Sequence, residues 1–301
     1  MIPIIQKRKI SFIASGILFI TSVVLLSTLG LKLGIDFTGG TLIQLRFVGE
    51  RPALQEMQNT VDALALGSVL VQPADEDSYI LKLQFIGEDD HQLLLTSVRD
   101  AFQTEESQVF EDSIETIGPS ISSDLRSRSI KAGIGVIVAI ILFVAYAFRK
   151  VSRPVSSWKF GVTAIIALLH DVIITMGVFA ILGKYMGVEV GIPFVVAMLT
   201  ILGYSVNDTI VVFDRVREKL IKKGSDRFAE TVNAGVNETI PRSINTSVTT
   251  LLVLFGLCIF GGESVRFFAL SLIIGIILGT YSSLFLASPL LVSWEQLRNR
   301  K

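Results

Sequence analysis

The sequence predicts a membrane α-helical protein: six transmembrane helices, with one small α+β domain outside the bilayer between helices 1 and 2. Three observations carry this reading. Half of the 301 residues are apolar and only 18% are charged, and the mean hydropathy is +0.62, which is too apolar for an ordinary water-soluble domain. A bilayer core takes ~20 consecutive, mainly apolar residues per helix, and six segments supply them: 10–29, 130–148, 160–182, 192–213, 244–260 and 265–292. Residues 30–129, between the first two, are polar and periodic. The chain thus divides into an N-terminus with helix 1 (1–29), an outer domain (30–129) and a five-helix part (130–301).

The first segment is flanked by Lys7, Arg8 and Lys9 and ends in "LSTLGLK" without a small-residue cleavage site, so it reads as a retained anchor and not a signal peptide. The formal net charge of zero conceals a segregation. Three Lys or Arg precede the first span, four lie in 149–159, seven in 214–245 and three after 295, which is 17 of the 27. By the positive-inside rule these segments, and with them both termini, face the cytoplasm. Residues 30–129 then lie on the periplasmic side, with 17 Asp or Glu against seven Lys or Arg. The single cysteine, Cys258, falls within the fifth span, so the chain makes no internal disulfide and no Cys-based metal site.

The outer domain alternates in "TLIQLRFVG", turns helical in "RPALQEMQNTVDAL", alternates in "SVLVQ" and "SYILKLQFIG", turns helical in "HQLLLTSVRDAFQ" and alternates again in "QVFEDSIETIG". The order β-α-β-β-α-β is the ferredoxin-like split pattern. Before it stands "GIDFTGGT", residues 34–41. Its glycine spacing matches neither a phosphate loop nor a dinucleotide fingerprint, so it reads as a tight connection in which glycines take positive φ where membrane helix gives way to sheet.

In the membrane part, spans three and four are joined by "GKYMGVEVG" and spans five and six by "GGESV", short links that make antiparallel neighbours. The inner segment 214–243 contains Phe228, Val232, Val236 and Ile240 at every fourth position after a cap candidate, Ser225, and before Pro241. This predicts an amphipathic helix lying at the cytoplasmic face, ended or kinked by the proline.

Ionisable side chains inside spans cost ~2.5 to 3.5 kcal/mol at mid-depth, so each needs a reason. The candidates are His170 and Asp171 in span three, Asp208 in span four and Arg242 at the start of span five. A lone intramembrane carboxylate near a cation is the usual arrangement of a proton relay, and a buried packing partner is the alternative. Tyr204 and Asp208 share a face, with Asn207 adjacent. Arg242, Asn245, Thr246, Thr249 and Thr250 form one hydrophilic stripe on span five, expected to face span four across a polar crevice. For Arg242 the alternative is snorkelling to the interface, and for His170 and Asp171 it is stapling helices together. Gly275 and Gly279 form a GxxxG pair, a sign of close helix approach.

With "GIDFTGGT", "HDVIIT", "YSVNDTIVVFDRVRE", "RSINTSVTTLL" and "GTYSS" in this order, the chain resembles the SecD/SecF protein-export family of the resistance-nodulation-division superfamily. The resemblance implies a subunit of the bacterial cytoplasmic (inner) membrane. Such a subunit works with a SecD partner and the Sec translocon channel on a translocating preprotein, amid membrane lipids, and uses the proton gradient. It places the proton pathway at Asp208 and Arg242; the supporting candidates, Asn207, Tyr204, His170, Asp171, Asn245, Thr246 and Thr249, come from their position in the spans. It also makes Gly34, Asp36, Gly39 and Gly40 the family motif at the membrane exit. The expected protein is no enzyme, and it needs protons but no metal, organic cofactor or nucleic acid. The rival readings are a non-energised scaffold for the translocon and a small-molecule or lipid transporter subunit of the same superfamily. The transporter reading predicts much larger outer domains in two loops. An intramembrane aspartyl protease needs a GxGD motif, whereas Ser205, Val206 and Asn207 precede Asp208.

Overall fold

The computed structural model describes residues 1–74, 76–104, 107–147, 157–223 and 227–298. The cap candidate Ser225 and the basic residues Arg149, Lys150 and Arg153 lie outside the described residues. The chain forms two compact units, one of residues 1–32 with 131–301 and one of residues 33–130.

The first unit opens with α1 (Arg8–Thr28). The second begins at a single short turn of helix, α2 (Ile35–Thr38), within the glycine-rich motif. There Gly39 and Gly40 take φ of +74° and +139°. A Cβ on Gly40 would lie 2.7 Å from the Leu83 carbonyl, so both its backbone conformation and its surroundings demand glycine. The alternating segments become β1 (Gly40–Val48), β2 (Leu70–Pro73), β3 (Ser78–Leu83) and β4 (Gln108–Ile117), and the helical ones α3 (Leu54–Asp62) and α4 (Glu88–Phe102). The sheet order is β2-β3-β1-β4, antiparallel throughout, as the ferredoxin-like reading requires. Ile43, Leu45 and Phe47 of β1 alternate inward onto Met57 and Val61 of α3 and Leu94 and Val98 of α4.

The remaining spans are α5 (Pro119–Ala147), α6 (Ser157–Met186), α7 (Ile192–Lys223), α8 (Phe228–Phe260) and α9 (Glu263–Ser282), which continues through a π-turn (Ser283–Ala287) into α10 (Ser288–Arg298). Among the described residues, six helical stretches are long and apolar enough to cross a membrane. Within the first unit α1 packs on α6, and α7, α8 and α9 pack on one another.

One expectation is corrected. The amphipathic helix expected to lie along the cytoplasmic face is the first third of α8, which runs unbroken through Pro241 into the fifth span. Its Val232 and Val236 are fully buried with Val212, Val216 and Leu220 of α7 and with Ile4 and Ile5 ahead of α1. Removing these side chains from water against protein leaves no apolar face free to lie on lipid headgroups.

Candidate functional site

Helix α7 carries the site. Tyr204 and Asp208 lie four residues apart on the face that meets α8, and Ser205 and Thr209 repeat that spacing on the adjacent face. The α7 and α8 helices run antiparallel. Tyr204 donates to Ser247 Oγ at 3.2 Å, and Ser243 Oγ donates to Asp208 Oδ1 at 2.6 Å. Further along, Val216 sits against Gly235, where a Cβ would lie 2.9 Å from the valine Cα. The α8 residues at this contact, Thr231, Gly235, Thr239, Ser243 and Ser247, are small, buried and spaced by four, a ridge that lets two backbones approach closely.

Asp208 is half-buried. Its Oδ2 is buried and has no hydrogen-bond partner among the described residues. On the adjacent face, Thr209 Oγ1 and Ser283 Oγ are 3.0 Å apart, and Ser247 Oγ is 2.5 Å from Thr280 Oγ1. Hydroxyls of α7, α8, α9 and the π-turn thus cluster near the carboxylate, and Ser243 bonds it directly. Such turns, which insert one residue into the helical ladder, often occur at functional sites.

Not every expected residue joins this cluster. Arg242 is exposed and forms no ion pair with Asp208, although its charge still acts on the carboxylate through space. It lines a cleft of about 480 Å³ with Asp214, Arg215, Glu218 and Glu238, among others. There Arg215 bridges to Glu218 and Glu238, and Lys219 is 2.5 Å from Glu238, cross-linking α7 to α8. Asn207, Asn245, Thr246 and Thr249 are exposed, and the Thr249 hydroxyl donates to its own helix at Asn245 and Thr246. The predicted stripe on α8 thus turns away from Asp208, and Ser243 and Ser247 take the place assigned to it. The signal that points to them is the small-residue spacing of four, which hydropathy does not register. Gly34, Asp36, Gly39 and Gly40 belong to the other unit.

Asp171 and His170 lie deep inside the bundle, at 0% and 4% exposure. Asp171 Oδ2 accepts from Ser205 and Ser282, both at 2.7 Å, and its Oδ1 lies 2.9 Å from His170 Nδ1. The α7–α9 contact that brings these serines together is tight. A Cβ on Gly275 would lie 2.2 Å from Ile201, and one on Gly279 3.0 Å from Ser205. A further buried ion pair, Lys159 with Glu295 at 2.6 Å, ties α6 to α10. Sequence reasoning missed it because Lys159 was counted only as a membrane-edge charge.

Comparison with known proteins adds two family matches. Residues 97–297 match the family described as protein export membrane protein SecD/SecF, C-terminal, and residues 24–49 match the SecD/SecF GG motif. The protein translocase subunit SecF of Thermobaculum terrenum is 39% identical, covering 98% of this chain and 94% of its own length. The subunit of the same name from Desulfurispirillum indicum is 38% identical, with 98% and 92% covered. A crystal structure of SecDF, a translocon-associated membrane protein from Thermus thermophilus, superposes with a TM-score of 0.82 at 31% identity over 97% of this chain. SecDF in a super-membrane-facing form gives 0.70 at 30% over 99%. The chain spans 38% and 39% of those two longer chains.

Proposed function

The chain belongs to the SecD/SecF protein-export family and is a multi-pass protein of the inner membrane. From that premise we propose that it is the SecF-type subunit of a Sec protein translocase in which Asp208 binds and releases protons drawn from the gradient across the membrane. The observation that carries this reading is the Asp208 carboxylate itself. One oxygen is held by Ser243, the other is buried with no hydrogen-bond partner among the described residues, and further hydroxyls lie close by on an otherwise apolar helix pair. An intramembrane carboxylate in such a setting marks an ion pathway by default.

The chemistry follows from the two oxygens. Ionised, Asp208 accepts the Ser243 hydroxyl through Oδ1 and feels the Arg242 charge from the neighbouring cleft. A proton arriving at Oδ2 neutralises the group and weakens both interactions, so the α7–α8 contact has a different preferred packing in each state. Alternation between the two packings is the step that moves a preprotein outward. No covalent chemistry and no organic cofactor enters this scheme.

A SecD partner supplies the facing membrane helices. The exposed polar stripe of Arg242, Asn245, Thr246 and Thr249 on α8 supports this, because polar groups facing hydrocarbon are costly unless another helix covers them. The clustered Lys and Arg support cytoplasmic termini and a periplasmic position for residues 33–130, where an emerging preprotein would pass.

The test is Asp208→Asn in membrane vesicles that hold the whole translocase, with preprotein export followed after ATP is exhausted and the proton gradient remains. The variant is expected to insert and accumulate like the parent while gradient-driven export falls to the level seen without a gradient. An Asn variant with the full gradient response means the carboxylate only packs helices, and the subunit is then a scaffold.

A further inference from the structure

Asp208 is not the only acid inside the bundle. Asp171 on α6 is fully buried, and three polar groups converge on it: His170 Nδ1 lies 2.9 Å from Oδ1, and the Ser205 and Ser282 hydroxyls donate to Oδ2. Two hydroxyl donors and an imidazole nitrogen satisfy both oxygens of the acid. The His170 ring is equally enclosed, stacked between Phe19 of α1 and Tyr281 of α9 with centroids 6.5 Å from each. Yet its Nε2 is buried with no hydrogen-bond partner among the described residues. A histidine serving only as a staple uses both ring nitrogens, because an unpaired buried polar atom is costly. Here one nitrogen is engaged by the acid and the other is vacant.

We propose that His170 and Asp171 form a second proton-binding site in the membrane interior, distinct from Asp208, which takes up one proton at His170 Nε2. In the empty state Asp171 is a carboxylate and His170 is neutral, its Nδ1 proton shared with Oδ1, so the pair carries one negative charge. On loading, the Nε2 lone pair forms an N–H bond with the incoming proton. No other bond breaks, and the pair becomes an imidazolium–carboxylate of zero net charge. Tyr281 of α9 faces the ring, its hydroxyl 3.1 Å from Ser15 Oγ of α1. Ser205 of α7 and Ser282 of α9 face the acid, and Phe19 completes the α1 side.

The two sites share their scaffolding. Ser205 lies one turn before Asp208 on α7. Ser282 adjoins Ser283, which contacts Thr209 beside Asp208. Loading the pair puts a positive charge beside the carboxylate that Ser205 and Ser282 hold, and so changes the hold of α6 and α9 on the helix that carries Asp208. This coupling rests on the function proposed above, whereas proton binding at His170 does not.

The two kinds of statement are tested separately. The chain has two histidines, so imidazole-15N-labelled histidine in the full chain, held in lipid nanodiscs and compared with His91→Gln, isolates the signal of His170. Over a series from alkaline to acid pH, the expected spectrum shows the Nδ1-protonated tautomer with Nε2 bare at first, then a single protonation of Nε2. In Asp171→Asn the midpoint is expected to move, because the partner that shares the proton is lost. An Nε2 protonated throughout, a signal that does not change across that range, or a midpoint indifferent to Asp171→Asn overturns the proposal. The first two readouts need no change at the pair, so a misfolded Asn variant does not remove the test. An Asp208→Asn variant that keeps its gradient response overturns the export mechanism and leaves this titration standing. A failed titration leaves the export result standing.

Discussion

The outer domain and the membrane unit each bury an apolar core but differ in what they expose and in what lies beside that core. In residues 33–130 the largest side chains are inside: Phe47, Tyr79, Leu81 and Leu94 are at most 1% exposed. In the membrane unit large apolar side chains face outward along α1 and α5, with Ile13, Ile17, Ile134 and Leu142 all exposed, while Ser15, Ser22, Asp171, Ser205, Ser243 and Ser282 are buried. The difference teaches which solvent each unit meets. Water rewards apolar burial at roughly 25 cal/mol per Å². Hydrocarbon gives no such reward, so helices associate by close backbone approach and hydrogen bonds, both of which favour small or polar residues at the contact. The closest approaches obey this rule: Gly177 to Ser22, Gly235 to Val216 and Gly275 to Ile201.

The largest expected effect on stability is in the water-facing core. Phe47→Ala should cost about 3–5 kcal/mol, read from urea unfolding of residues 33–130 expressed alone. The parent segment should unfold in one cooperative transition, since it holds its own core. A loss below ~1 kcal/mol, or no transition in the parent, breaks the comparison on the outer side. Next comes Gly275→Ala, whose added methyl would overlap Ile201. Overpacking of this kind costs about 1–3 kcal/mol, and it should lower the thermal midpoint of the full chain in nanodiscs. An unchanged midpoint means that small residues at α7–α9 do not set the contact.

The smallest effect is expected at Leu142, 65% exposed on α5. Leu142→Ala should fall within about 0.5 kcal/mol, because lipid replaces lipid contact. In the same nanodisc melt, a cost approaching that of Phe47→Ala would show that protein covers this face, as a partner's helix would.

Much of this architecture was legible beforehand because it depends on local periodicity. Alternation in "TLIQLRFVG" and the helical spacing of "HQLLLTSVRDAFQ" determined the β-α-β-β-α-β order, since a strand or helix must turn its apolar side to one core. Long apolar runs determined the six spans, and the cost of charge in hydrocarbon singled out His170, Asp171, Asp208 and Arg242 before any geometry was known. The GxxxG pair at Gly275 and Gly279 likewise announced a close contact, though not with which helix.

What the sequence could not determine is the rotation of each helix about its own axis. The spacing of Arg242, Asn245, Thr246 and Thr249 shows that they share a face, and the same periodicity holds for Thr239, Ser243 and Ser247 on another. Only packing decides which face meets α7. The smaller set allows the backbones to approach, so Ser243 reaches Asp208 while the larger polar stripe turns outward. The meeting of Ser205 and Ser282 on Asp171 is of the same kind. Residues 111 positions apart in the chain come together only because α6, α7 and α9 are pressed into contact, and no local pattern of side chains records that contact.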